Sequence, residues 1–222
     1  MSELPLIVFG AGEIAEVAAF YFGFDGGRTV SAFAVDDEYA SDTRFAGLPL
    51  VAVSQALKDF PPDRYDAFVG VGYSKINGMR QAKCNFLREH GYDLASYISP
   101  RATVFPSCSF GWNAFVLEDN TVQPFVKVGN GVTLWSGNHI GHHAVIGDFA
   151  FISSHVVVSG GVSVGSRTFI GVNSTLNDHI SIGERCVIGS GCLISKDVQD
   201  EGVMTSEPAK LSPVPSRRLK GF

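Results

Sequence analysis

The chain has 222 residues and a formal net charge of −5 at pH 7, with 45% hydrophobic and 18% charged residues, a composition of packed soluble cores rather than of disorder. No apolar run approaches the roughly 18 residues that span a bilayer, and no basic stripe offers a nucleic-acid surface, so neither a membrane nor a nucleic acid is expected as a partner. The opening Met1-Ser2-Glu3-Leu4-Pro5 lacks the basic and apolar regions of a signal peptide, which makes a cytoplasmic protein the expectation.

Residues 1–93 alternate strand and helix signals. Leu6-Ile7-Val8-Phe9 reads as a short apolar strand running into the turn Gly10-Ala11-Gly12-Glu13, and Ile14 to Phe22 reads as a helix. Val30 to Val35 is a second strand ending at Asp36-Asp37. Val51 to Phe60 is predicted helical, Asp66 to Val71 a third strand, Ser74 to His90 a helix, and Leu94 to Ile98 a strand. Such alternation predicts a small Rossmann-like parallel sheet. A glycine turn between strand and helix lets backbone approach a phosphate, and an acidic residue at the end of the next strand suits a ribose or base. Gly10, Gly12, Asp36 and Asp37 are therefore candidate nucleotide contacts, with Gly72 as a second wall. A glycine turn made only for tight packing is the bland alternative.

From Ile98 to Ile194 every sixth residue is aliphatic or aromatic, and Gly follows it at 111, 129, 141, 147, 165, 171, 183 and 189. Neither a helix nor a strand has period six, whereas a hexapeptide β-helix does. Three hexads form one triangular coil, so residues 18 apart stack, and residues 94–203 are assigned to the coils. Cys108, Cys186 and Cys192 fall on the inward corner position and read as small buried hydrophobes rather than as ligands or disulfides. Residues 204–222, with Pro208, Pro213 and Pro215, cannot continue the pattern and form a tail.

The stretch from Trp135 to His143 concentrates polar chemistry. His142 and His143 are the third and fourth residues of their hexad and should face outward, and an exposed imidazole suits proton transfer near neutral pH. Asn138 and His139 beside them are candidate substrate contacts. His155 and His179 stand alone and outward and read as surface or subunit-contact positions rather than catalytic ones. The aromatic residues Phe125, Trp135, Phe149, Phe151 and Phe169 are also expected on the outside, an apolar surface that suggests a trimer.

The glycine turn with Asp36-Asp37, the entry Ser99-Pro100-Arg101-Ala102-Thr103-Val104, the hexads IGHHAVIGD from Ile140 and IGVNST from Ile170, and Pro208-Ala209-Lys210 together resemble the left-handed β-helix sugar acyltransferases typified by NeuD and PglD. The resemblance implies an α/β domain followed by a left-handed parallel β-helix of hexapeptide repeats. It implies a homotrimer that acetylates an amino or hydroxyl group of a sugar, usually nucleotide-linked, with acetyl-CoA lying between subunits. On matching positions it makes His142 the general base, with His143 standing where some relatives carry a carboxylate. It offers the Gly160 or Gly161 amide to the thioester carbonyl and Lys210 to the CoA phosphates. Two other classes stay open: a zinc hydratase of the β-helix carbonic anhydrase type, whose histidine spacing this chain lacks, and a non-catalytic trimeric scaffold. No metal is expected.

Overall fold

The computed structural model describes residues 4–218. The first part contains β1 (Leu6–Phe9), α1 (Glu13–Phe24), β2 (Val30–Val35), β3 (Arg44–Phe45), β4 (Leu48–Ala52), α2 (Val53–Asp59), β5 (Asp66–Val69) and α3 (Gly78–Glu89). Strand order is β3-β4-β2-β1-β5, all parallel except the β3–β4 hairpin. Two expectations need correction. Leu48–Ala52 is a strand, so the helix expected from Val51 begins at Val53. The helix expected from Ser74 begins at Gly78, because Lys75, Ile76 and Asn77 all have φ between 51° and 59°, outside the helical well.

After Leu94, which bridges to Ala67, the coils begin at Tyr97–Ile98. Strands of two residues recur every six and stack in parallel at an offset of 18 into three sheets, the walls of a left-handed triangular prism. We number the faces in chain order, from Tyr97–Ile98, Thr103–Val104 and Ser109–Phe110 respectively. The final strand, Val203–Met204, closes face one by pairing with Val187–Ile188 at an offset of only 16. Each strand ends on the apolar residue of the six-residue period, and from Val116 onward these residues fill the interior: Val116, Val122, Leu134, Ile140, Ile152 and Ile170 are fully buried. The first coil has no neighbour beneath it, and Ile98 there stays 38% exposed.

The glycine after each period residue serves close stacking. A Cβ on Gly141 would stand 2.6 Å from the Gly160 nitrogen, and one on Gly165 would stand 2.4 Å from the Gly183 carbonyl carbon. The left-handed backbone falls two residues later, at Asn113, Asp119, Phe125, Gly131, Gly137, His143, Phe149, His155, Gly161 and onward at the same spacing. Asn, Asp and His are the non-glycine residues that tolerate this region best. His143, His155 and His179 thus have a backbone reason for their places, and His142 has none.

The first part packs against face one. Phe115, Leu117 and Tyr97 from the coils share a core with Leu6, Val8, Phe22 and Phe68, while Phe149 joins Ile7, Phe9 and Leu87 on the other side of the sheet. This overturns the expectation that the coil aromatics lie open. Phe149 and Phe151 are only 3% and 5% exposed, Trp135 and Phe169 are half-buried, and Phe125 alone of the five projects freely, at 56%. Tyr73 packs edge-on against Phe151 and at a tilt against Phe169, and Trp112 packs edge-on against Phe149. Among the described residues, no helix is long and apolar enough to cross a membrane.

Candidate functional site

A trench runs from the α/β part to the coils as three cavities that share walls. The first, about 400 Å³, lies at the C-terminal ends of β1 and β2, between Gly10, Ala11, Asp36 and Lys83 on the inside and Tyr39, Asp42 and Arg44 outside. The second, about 480 Å³, continues through Gly10 to Ile14 and Gly70 to Ser74. The third, about 320 Å³, opens from Glu13, Ile14 and Tyr73 onto Trp135, Phe151, Ser153 and Ser154 of the coils. A sheet of this kind binds ligands beyond the carboxyl ends of its strands, and the second cavity lies at the ends of β1 and β5, the neighbouring strands from which the chain leaves toward opposite sides.

The glycine turn has both roles that sequence allows. Gly10 has φ of +125°, and a Cβ there would meet the Gly70 carbonyl at 2.8 Å, so packing requires it. Gly12 has open space around it and precedes α1, whose N-terminus carries no side-chain cap. Uncapped N–H groups at a helix start attract anions. Gly72 packs on Ile14 and lines the second cavity.

Asp36 and Asp37 part company. Asp36 lines the first cavity and pairs with Lys83 at 2.6 Å. Asp37 instead accepts from the Ser54 amide at 3.0 Å, which lowers its carboxyl below the usual range and holds the start of α2. Asp37 is therefore removed from the candidate substrate contacts. Lys83 was missed, because a lysine on a helix carries no sequence sign that it reaches the end of a strand 47 residues away.

His142 and His143 project from the edge between faces two and three, both exposed. The His142 amide donates to Gln123 Oε1 at 2.9 Å, and its ring abuts Gly160 of the next coil, where a Cβ would stand 2.7 Å from Cε1. Its Nδ1 is 3.2 Å from Nδ1 of His143, whose own ring packs on Phe125 with centroids 4.8 Å apart. An exposed base with one nitrogen held and the other open can accept a proton from a bound nucleophile. His139, on face two, is half-buried three residues before His142.

Four expected contact residues fare differently. The Gly160 amide donates to Asp178 Oδ1 at 3.0 Å and the Gly161 amide to the His142 carbonyl at 2.9 Å, so neither is open to a thioester oxygen. Asn138 is 1% exposed, with its side chain donating to Trp135 O and accepting from the Val156 amide, which makes it an interior rung of the coil. Lys210 is exposed in the extended tail. Among the described residues no group of three or more His, Cys, Asp or Glu is placed to hold a metal ion.

A single buried cation ties the trench to the prism. Arg80, 2% exposed, donates to the carbonyls of Gly131, Phe149 and Ala150 in the coils and of Val71 and Gly72 in the trench wall, at 2.8–3.4 Å. Burial lowers its guanidinium to about 10. Among the described residues it meets no carboxylate, and its charge is balanced by carbonyl dipoles and the Phe151 ring at 5.8 Å.

The hexapeptide prism and its likeness to known proteins make the chain an acyltransferase similar to the NeuD and PglD sugar acyltransferases. Residues 125–160 and 161–196 match the family model described as bacterial transferase hexapeptide (six repeats). PerB from Caulobacter crescentus, solved with CoA and GDP-perosamine, is 26% identical over 90% of this chain and 92% of its own, with a TM-score of 0.81. The acetyltransferase domain of PglB from Neisseria gonorrhoeae, solved with acetyl coenzyme A, is 26% identical over 94% of this chain and 99% of its own, with a TM-score of 0.82. WeeI from Acinetobacter baumannii shares the fold at 16% identity, covering 93% of this chain and 98% of its own, with a TM-score of 0.78. No curated protein sequence matches the chain significantly.

Proposed function

We propose that this acyltransferase moves the acetyl group of acetyl-CoA to an amino or hydroxyl group of a nucleotide-linked sugar, with His142 as general base. The observation that carries the reading is the trench, whose three linked cavities suit base and ribose, then diphosphate at the start of α1, then a sugar against Trp135 and Ser153. The ligands of PerB and of the PglB domain support the same pairing of donor and acceptor. A cytoplasmic site of action and a role in glycan or polysaccharide synthesis accord with these substrates. The domain limits 1–93, 94–203 and 204–222 follow the same division of labour, although one shared core joins the first two.

In this reading His142 Nε2 accepts the proton of the acceptor amine or hydroxyl as that atom attacks the thioester carbonyl. The new C–N or C–O bond forms, the C–S bond breaks, and the proton passes from His142 to the departing CoA thiolate. His143 accepts from Nδ1–H of His142, keeping the proton off the opposite nitrogen and stabilising the imidazolium as it forms. Gly160 and Gly161 contribute the absence of side chains, which leaves room for the rings of His142 and His179 packed against them.

The proposed assembly is a trimer. The third cavity opens at the edge between faces one and two, whereas His142 stands at the edge between faces two and three, away from the covered face of its own chain. Each trench then needs the His142 of a neighbour. Faces two and three present Thr121, Val157, Thr175, Ser163 and Ser181 with a 70% exposed Leu193, a flat surface that a parallel neighbour can cover.

Two measurements test this. Thiol release from acetyl-CoA should depend on an amino-sugar nucleotide; no release with any sugar nucleotide overturns the function. Mixing inactive His142→Ala chains with inactive trench variants, followed by reassembly, should restore part of the activity. No recovery, or a stable monomer by light scattering, overturns the shared site.

A further inference from the structure

The outer wall of the first cavity narrows the choice of nucleotide. Beyond the Asp36–Lys83 pair, the wall is made by the segment between β2 and β4, which carries Tyr39, Asp42, Arg44 and Phe45. Asp37, next along the chain from Asp36, points instead to Ser54 and holds α2. Two charged groups therefore face the outer end of the cavity, the carboxylate of Asp42 and the guanidinium of Arg44. Among the described residues Asp42 joins no ion pair. Arg44 donates through Nη2 to the Gly47 carbonyl, so one arm of its fork is fixed in place. Tyr39, 64% exposed, and Phe45 supply aromatic surface for the face of a ring.

We propose that this cavity selects guanine, with Asp42 accepting from N1–H and the 2-amino group and Arg44 donating to O6. This rests on the reading of the trench as a sugar-nucleotide site. The argument is one of matching edges. An ionised carboxylate is an acceptor at both oxygens, and a guanidinium is only a donor. Guanine presents an acceptor followed by two adjacent donors, and a neighbouring guanidinium and carboxylate satisfy all three. Uracil and thymine present acceptor, donor, acceptor, which sets a carbonyl oxygen against the second oxygen of Asp42. Adenine presents a donor and an acceptor with nothing at position 2, leaving one carboxylate oxygen without a partner. A site built to hydrogen-bond a group discriminates strongly against analogues that lack it.

Calorimetry on the full chain with GDP, IDP, UDP, dTDP and ADP tests the assignment. GDP should bind at least about tenfold more tightly than UDP, dTDP or ADP, and IDP, which lacks the 2-amino group, should fall several-fold below GDP. Asp42→Asn should weaken GDP by about tenfold or more and leave UDP unchanged or improved, with the thermal melt unaltered because Asp42 is exposed. UDP or dTDP binding as tightly as GDP, or an unchanged GDP-to-UDP ratio in Asp42→Asn, overturns the guanine assignment while leaving the sugar-nucleotide site standing. Failure of all five diphosphates to bind overturns both.

Discussion

The Nδ1 atoms of His142 and His143 lie 3.2 Å apart, and one proton has to serve both. If His142 offers Nε2 to a substrate, its Nδ1 carries hydrogen and His143 must present a bare Nδ1. Protonating His143 would turn this acceptor into a second donor and push the rings apart. His142→Ala or His142→Asn should lower kcat by at least about 10²-fold with assembly intact. His143→Ala should cost less, about tenfold, with KM for both substrates unchanged. Steady-state kinetics on correctly assembled protein decides; a larger loss at His143 than at His142 would move the base by one residue.

Gly160 backs the His142 ring from the next coil. A methyl group there would stand 2.7 Å from the His142 ring, and the ring is the part able to move. Gly160→Ala should therefore reduce kcat by roughly 10-fold to 10²-fold while the melting temperature changes little, since a small geometric error at the base is costly to rate. Retained full activity would mean that His142 works from another rotamer.

Asp36 and its partner Lys83 stand at the inner end of the trench. Asp36→Ala should raise KM for the sugar nucleotide and barely alter KM for acetyl-CoA, the loss of a charged hydrogen bond being worth roughly 1.5–3 kcal/mol. Equal effects on both constants, or none on either, would remove Asp36 from the acceptor site.

Arg80→Met keeps much of the volume of the side chain and removes the donors that satisfy carbonyls from both parts of the chain. The unpaired carbonyls should cost about 3 kcal/mol or more. Denaturant unfolding followed by far-ultraviolet circular dichroism measures it, and a change below about 1 kcal/mol would contradict the role given to Arg80 in joining coils and trench.

Alkaline pH should loosen the contact between α1 and the coils. Tyr21 donates to Glu118 at 2.7 Å, and burial, followed by that hydrogen bond, raises its phenol from 10.0 to about 12. A raised acid favours the folded state fully below pH 10 and loses that contribution as pH climbs from 10 to about 12. Tyr97 shifts in the same direction for the same leading cause, with Asp25 as its partner. Melting temperature should fall across this window, and Tyr21→Phe should flatten the fall. An identical slope in the variant would rule Tyr21 out as its source.

The coils were legible residue by residue because stacking at 18 makes a lattice of them. Position within the hexad already places Ile140 and Ala144 inside and His142 and His143 outside, and it puts Cys186 and Cys192 in the core. The strand at Val30–Val35 was legible in the same local way, through β-branched and apolar residues between turns. Leu48–Ala52 was not, because its five residues run directly into α2 with no turn residue between them to separate strand from helix.

The lattice says nothing about what covers each face. Phe149 and Phe151 are outward by position and buried in fact, since Ile7, Leu87 and Tyr73 reach them from a part of the chain with no period to read. The Gly160 amide looked open until Asp178, one coil on, took it. The sequence by itself determined the prism, the order of its parts and the side chains on its histidine edge, since each depends on neighbours at a constant spacing. The tertiary structure alone decided which face is covered, that Lys83 meets Asp36, that Asp37 turns away and that the trench ends on a different edge from His142. Those relationships join residues whose separations in sequence follow no rule, so only the folded chain brings them together.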